Sequence, residues 1–463
     1  MNPIPDRSGA AACLSFLFSG VTSAMQPARA PIALLAVMLI VALAPIVDAV
    51  DGQAFGPRGF SSGPMTATEV QLNHQRARNA AARIAQSEVD ALESAARESD
   101  GADAVVSRRA LASAVRAATE ARIADGVARG VAPDDPEFAR LRQRAAEAML
   151  AIEETAPRGV ATAFLAAEAN AIRQATAAIL SLNPPALLGA VEAVVLGIPS
   201  DAISASPIWF PLGLLATMSL VMLLAGASCR MAAVHAGRNA RLTALEGAVF
   251  ARSRALRLLS IPVLPVIVIG VLALIVLTFA LLLRVPVLGL VSGALFIVPL
   301  LVGLLAAVLA ISVVASLPLM PAAVAVEDCD SGDAITRAGA LVLSRPLAWI
   351  GMLVGAMLAL VVGTLLVSFA VGVAGLGVNA LLASVGGPLG QALASGDASE
   401  ISALYGPDRL IATLAGFWIG LLRALIAAYA FSLCCDLATR GYLWMRERVD
   451  GENIGTVAGY GLG

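Results

Sequence analysis

The sequence predicts an all-α integral membrane protein: a bundle of six transmembrane helices with an inserted extracytoplasmic helical domain. Three observations carry that expectation. Apolar residues make up 59% of the 463, charged residues 14%, and the mean hydropathy is +0.84, against about 45–50% apolar and about 25% charged in soluble domains. The apolar excess lies in long uncharged runs, whereas residues 51–205 have the charge density of a soluble protein. Arginine, finally, gathers on alternate loops between the runs, as retention of positive residues on the cytoplasmic side requires.

Crossing about 30 Å of hydrocarbon takes about 20 helical residues. Runs that meet this lie near 31–48, 207–227, 261–283, 287–314, 347–371 and 409–435. The first competes with a signal peptide cleaved after Ala49, with Val47 at the other cleavage position; the 30-residue lead before its apolar core argues for a retained span. Only Arg284, Val285 and Pro286 join the third and fourth runs, which demands an antiparallel hairpin. The loop 228–260 sets Arg230, Arg238, Arg241, Arg252, Arg254 and Arg257 against one acid, Glu246, so it belongs in the cytoplasm. Alternation then puts 316–346 and the tail with Arg440, Arg446 and Arg448 on the same side, and the arginine-free loop 372–408 outside. The expected organisation is a cytoplasmic N-terminus and first span (1–50), an extracytoplasmic helical domain (51–205), a membrane domain of five further spans with two cytoplasmic amphipathic helices (206–437), and a cytoplasmic tail (438–463).

Within 51–205, Gly and Pro separate stretches whose apolar residues recur at three and four, giving four or five helices. One starts at Asp134, Asp135, Pro136 and Glu137, a cap followed by Pro in the first turn, runs through Phe138, Leu141, Ala145, Met149 and Ile152, and ends by Pro157. An earlier helix spaces Val70, Ala77, Ile84 and Ala91 seven apart with small residues between, a seam for packing inside the domain or for self-association. Asn183, Pro184 and Pro185 stop the last polar helix. The apolar stripe Leu187, Leu188, Val191, Val194, Val195 and Ile198 reads as too short to span, leaving an interfacial helix or one packed on the domain.

The two arginine-bearing loops share a plan, a capped amphipathic helix directly before a span. In the first, Thr243 and Glu246 have capping-box spacing ahead of Val249, Phe250, Leu256, Leu259 and Pro262. In the second, Asp330 or Ser331 caps and Asp333 favours the positive helix end, before Ile335, Leu341, Leu343, Arg345 and Pro346. Residues 13–31 form a degenerate third copy. Leu245 to Pro265 (LEGAVFARSRALRLLSIPVLP), Leu317 to Trp349 (LPLMPAAVAVEDCDSGDAITRAGALVLSRPLAW) and Ala438 to Gly451 (ATRGYLWMRERVDG) resemble a family of uncharacterised polytopic membrane proteins of planctomycete-type bacteria. The resemblance covers the membrane half, implies six spans, a cytoplasmic tail and a multi-pass protein of the bacterial cytoplasmic (inner) membrane, and transfers no catalytic residues.

Chemistry is sparsely advertised. The two histidines, His74 and His235, fall on opposite sides of the membrane in this topology, so a zinc site is not credible. The Glu327, Asp328, Cys329, Asp330, Ser331, Gly332, Asp333 run looks like a calcium loop but lacks its fifth-position ligand and has Gly339 where a bidentate Glu belongs; helix capping explains it better. No P-loop, HExxH or GxSxG occurs, and Gly372, Gly375 and Gly377 follow no strand. No cofactor and no enzymatic activity are expected. All 31 basic residues are Arg, and the net charge of −2 offers no field for nucleic acid. The five cysteines, Cys13, Cys229, Cys329, Cys434 and Cys435, avoid the extracytoplasmic segment and imply no disulfide framework.

Two membrane features stand out. Gly351, Gly355, Ala359 and Gly363 on the fifth run, and Gly416, Gly420, Ala424 and Ala428 on the sixth, recur every fourth residue, the spacing that lets helix backbones approach, within the chain or across a homo-oligomer face. Arg423 sits near the middle of the sixth run, where a charge costs at least about 2.5–3.5 kcal/mol; it is expected to be enclosed, within the six-helix unit or in a protein interface, as a structural tie or on a transport path. The leading expectation is a non-enzymatic envelope protein that anchors or scaffolds a protein partner through residues 51–205. A transporter or permease-like subunit is the alternative, motivated by Arg423 and by Pro299, Gly303, Pro318 and Pro321. A third reading has the arginine-rich loop 228–260 holding anionic headgroups.

Overall fold

The computed structural model describes residues 10–52, 55, 66–100, 108–131, 135–155, 158–181, 183–285, 289, 292–386, 389–390, 393 and 406–451. Among them every regular element is helical: α1 (Ala10–Ser23), α2 (Ala30–Asp51), α3 (Ala67–Asp100), α4 (Arg108–Ala128), α5 (Pro136–Glu154), α6 (Val160–Leu180), α7 (Pro184–Glu192), a π-helical stretch (Ala193–Gly197), α8 (Ile198–Ala205), α9 (Trp209–Arg238), α10 (Ala244–Ser253), α11 (Ala255–Leu282), α12 (Ile297–Ser316), α13 (Met320–Glu327), α14 (Ser331–Ser344), α15 (Pro346–Val385) and α16 (Gly406–Asp450). Seven helical stretches of the described residues are long and apolar enough to cross a membrane, so the protein is an all-α, multi-pass membrane protein whose apolar helices face lipid.

Six of these stretches are the six expected runs. The seventh is Pro184–Ala205, where the sequence suggests a stripe too short to span. Pro199 does not break the helix there: the π-helical turn Ala193–Gly197 directly before it interrupts the regular hydrogen-bond ladder where its N–H is missing, and α7, the π stretch and α8 join into 22 continuous residues. Other boundaries move too. The fourth span begins at Ile297, ten residues after the run suggests, and α15 and α16 are 40 and 45 residues long. At 1.5 Å per residue they reach about 60 and about 68 Å, twice the hydrocarbon thickness. The expected separate tail at 438–463 is, up to Asp450, the last part of α16, because Tyr442, Leu443, Trp444 and Met445 are buried in a core and hold it helical.

The chain divides into two compact units. One comprises Ala44–Pro211 and Phe369–Leu422. In it α3, broken at Ala85 (φ −129°, ψ 50°) so that Arg78 pairs with Glu93 across the bend, packs with α4 and α5 in a helical bundle around Ala77, Ala80, Ile84, Val89, Leu111, Val115, Ala145 and Ile152. Of the small-residue seam, Ala77, Ala80 and Ile84 pack inside this bundle, while Ser87, Ala91 and Ser94, beyond the kink at Ala85, are exposed. Asp135 caps α5 by accepting from the Glu137 amide at 2.8 Å. The same unit shows a long-range cap: Asp48, at the end of α2, accepts from the Ala161 amide at 2.7 Å and the Thr162 amide at 3.2 Å, placing a carboxylate at the positive end of α6. Gly159 is what admits it, since a Cβ there would lie 2.0 Å from Asp48 Cγ.

The other unit comprises Met1–Leu43, Leu212–Ser368 and Arg423–Gly463. Its core gathers at one end of the helices, from α1, the end of α9, the start of α11, α13, α14, the start of α15 and the end of α16. Beyond that end the α11–α12 hairpin is almost bare, with 6% of the most apolar 18 residues of each span buried. Lipid gives apolar helices no reason to bury against one another, whereas a chain emerging into water must. The capping box of α10 forms, with Thr243 Oγ1 accepting from the Glu246 amide and the Glu246 carboxylate from the Thr243 amide at 2.7 Å. α14 differs from expectation: Asp330 occupies the cap position but its side chain makes no cap bond, because it is engaged by an arginine.

Candidate functional site

Two ion-pair clusters within the second unit bind its short helices to its long ones. The first grows from the end of α13. The helix stops at Asp328 in the left-handed conformation (φ 54°, ψ 30°), which Asp tolerates better than most residues. That turn presents the carboxylate to α10 and α11. Arg254, the break between those helices, donates from Nε and Nη2 to the two Asp328 oxygens at 2.7 and 2.5 Å, a two-pronged fork. Arg257 Nη1 donates to the Asp328 carbonyl at 2.9 Å, while its Nε pairs with Asp330 at 2.9 Å. The Arg254 hydrogen bonds hold the Asp328 carboxyl below the usual carboxylate range, opposed by partial burial. Beside it Glu327, nearly buried, accepts from Tyr442 and pairs with Arg337 and Arg446. The run that resembles a calcium loop therefore has its carboxylates taken up by arginines. Burial pushes the Cys329 thiol in this run up to about 11, far from the thiolate that nucleophilic chemistry needs.

The second cluster is buried. Asp436 is fully buried on α16. Arg29, between α1 and α2, donates to it from Nη1 at 2.5 Å, and Ser23 Oγ at 2.7 Å. Arg440, one turn further along α16, pairs with its other oxygen and also donates to the Phe16 carbonyl at 3.2 Å and to Ser19 Oγ at 2.7 Å, its guanidinium 5.0 Å from the Phe16 ring centroid. Tyr429 and Ser432 add hydrogen bonds to the carbonyls of Val21 and Ala24. One carboxylate thus fastens the end of α1, the entry of α2 and α16 together. Gly20 makes the approach feasible: a Cβ there would lie 2.7 Å from Asp436 Oδ2.

Comparison with protein-family models, with curated proteins and with solved structures yields no match. Both clusters are closed ion pairs. A cleft of about 140 Å³ beside them, between Ala315, Trp349, Met352, Leu360, Cys434 and Leu437, is lined almost wholly by carbon.

The residues singled out from sequence are dispersed. Gly355 and Gly363 do serve close packing: a Cβ at 355 would lie 3.1 Å from Leu14 Cδ2 and Leu17 Cδ1, and one at 363 would lie 2.7 Å from Leu433 Cδ2 and 2.8 Å from the Tyr429 hydroxyl. Gly351, Gly416 and Gly420 face open space, so their stripe positions pack on nothing among the described residues. Arg423 is exposed on α16 of the single chain and makes no ion pair among the described residues, so its own membrane unit does not enclose it. Periodicity marks which residues share a helix face and not which face meets another helix. Asp436 and Arg29 are the residues that sequence reasoning passed over. Their signals were an Asp and an Arg four apart in a helix that stays apolar on both sides, and a lone Arg between Ala28 and Ala30 directly ahead of a span.

Proposed function

We propose that this is a non-enzymatic integral membrane protein of the bacterial inner membrane, with residues 51–205 outside the cytoplasm holding a protein partner and the membrane unit serving as anchor. One observation supports the reading most: the charged groups in the interior of the membrane unit, Asp436, Arg29 and Arg440, pair with one another in a core buried from solvent. Such a core suits a rigid anchor, since a solute path needs polar groups that water reaches. The orientation is supported by the arginines of 228–260 and of the end of α16 and takes Pro184–Ala205, though long enough to cross, as packed along α6 and not as a seventh crossing; the partner role is supported by a separately packed helical bundle, α3–α5, with polar outer faces.

The test places cysteines at Arg122 and Glu147, both exposed, after the native cysteines are replaced, and a photo-crosslinker at the same positions. In intact cells an impermeant thiol reagent labels both, and crosslinking gives a discrete heteromeric adduct. Labelling only after lysis overturns the orientation; absence of any adduct, together with solute accumulation in reconstituted vesicles, overturns the anchoring role.

The alternative, a transporter or permease-like subunit, rests on Arg423. An exposed charge in mid-run, with its cost of about 2.5–3.5 kcal/mol or more, calls for water or a second chain against it, and a path assembled between copies supplies both. Arg423→Leu separates the readings. An anchor keeps its fold and partner capture, while a transport subunit folds but loses flux.

A further inference from the structure

The face of α10 that points away from the core is apolar. Gly247 and Ala251 turn inward, with the Gly247 position only 3.0 Å from Met231 Sδ, yet on the opposite side Leu245 is 73% exposed, Val249 59% and, just past the Arg254 break, Leu256 84%. At 100° per residue, Leu256 shares a stripe with Ile267, Leu274 and Leu281 of α11, all heavily exposed. That stripe is the lipid-facing side of a span. From Leu256 to Leu281 it measures about 37 Å at 1.5 Å per residue, longer than the roughly 30 Å of hydrocarbon, so with Leu281 at the far boundary Leu256 reaches the headgroup level. Leu343 and Leu347, flanking the break between α14 and α15, are exposed in the same manner, at 63% and 83%. Beside these apolar groups stand Arg252 and Arg345, both exposed and without an ion pair among the described residues. They differ in this from Arg254 and Arg257, which Asp328 consumes. The acid of α10, Glu246, is turned back onto Thr243.

We propose that α10 and the α14–α15 junction lie in the membrane interface, with Leu245, Val249, Leu256, Leu343 and Leu347 sunk among the upper acyl carbons and Arg252 and Arg345 holding the phosphates of anionic lipid headgroups. The occupant of this apolar face is the leaflet that α11 enters. Continuity with the lipid-facing stripe selects it, and the two unpaired guanidinium groups select its anionic lipids. Docking on the bilayer fixes the angle between α10 and α11, and thereby seats the Arg254–Asp328 fork.

The full-length protein is tested in nanodiscs of phosphatidylcholine or of phosphatidylcholine mixed with phosphatidylglycerol. A bimane probe is placed at Val249→Cys and, in a second protein, at Leu245→Cys, with Cys434 replaced. Both probes are expected to be quenched by lipid carrying a nitroxide near the headgroup and shielded from aqueous iodide. Association of spin-labelled phosphatidylglycerol is expected to exceed that of spin-labelled phosphatidylcholine, and the preference at this site to fall about fivefold per arginine in Arg252→Gln and Arg345→Gln. Quenching by iodide and not by the nitroxide lipid overturns the interfacial placement. Shielding from both quenchers, with probes crosslinking between copies, assigns the face to a second chain and overturns it equally. Nitroxide quenching with unchanged lipid preference in the double variant overturns the headgroup contact.

Discussion

Replacing Asp436 tests whether the buried ion cluster holds the membrane unit together. Asp436→Ala removes the acceptor of Arg29, Ser23 and Arg440 at a position with no solvent exposure. Arg29 is 1% exposed and Arg440 5%, so neither guanidinium can turn to water. Breaking a buried pair from one side costs about 3–5 kcal/mol, a large fraction of the roughly 5–15 kcal/mol that separates folded from unfolded for typical domains. Neutralising one arginine as well has a different outcome: Asp436→Leu with Arg29→Met leaves one buried guanidinium unpaired instead of two and should recover part of the loss, Arg440 keeping only the neutral acceptors Phe16 carbonyl and Ser19. The measurement is equilibrium unfolding of the purified protein in mixed micelles, followed by the fluorescence of Trp349 and Trp444, both in this unit. An Asp436→Ala midpoint within about 1 kcal/mol of the parent, or a double variant no better than the single, refutes the assignment of a tie to this carboxylate.

Further outcomes follow from the same geometry. Asp328 is held ionised by Arg254, so its folded carboxyl lies below the unfolded value of about 3.9; its contribution is fully present above that value and is lost as pH falls through the folded one. An acid titration of stability should therefore flatten below about pH 4 in Asp328→Asn, and an unchanged titration would exclude the fork as a contributor. Gly363→Ala presses a methyl against Leu433 and Tyr429 and should cost about 1–3 kcal/mol, while Gly420→Ala, facing open space, should be neutral or gain up to about 1 kcal/mol in helix propensity; thermal midpoints of the two variants decide, and equal midpoints would contradict the packing assignment. Ala77→Leu, at a fully buried position of α3, should unfold the α3–α5 bundle at lower temperature by overpacking it by about 1–3 kcal/mol, read by circular dichroism of the full chain, and a midpoint equal to the parent's would place Ala77 outside a packed core.

Much was legible in the sequence because its causes are local. Uncharged runs of about 20 residues are long enough to satisfy their own backbone in lipid, which is why all six expected spans are helices of the structure. Thr243 and Glu246 needed only their spacing to form a capping box. Helix ends were harder. α16 continues past the last apolar run because its charged tail is pinned by Glu327, Phe16 and Ser19, and Pro184–Ala205 is one long stretch because Pro199 falls where a helix can accept it.

What the sequence determined by itself was the medium of each segment, the class of fold and the faces of the helices, since hydropathy and periodicity are properties of neighbours along the chain. What only the tertiary structure decided was which faces meet. Of the five glycines spaced for close packing, Gly355 and Gly363 meet side chains of α1 and α16, and Gly351, Gly416 and Gly420 meet none among the described residues. The conspicuous charge, Arg423, stands exposed, while the inconspicuous Arg29 closes on Asp436 across 407 residues of chain. The physical reason is that burial and pairing are set by groups distant in sequence, and a buried charge is tolerated only where the fold brings its counter-charge within reach.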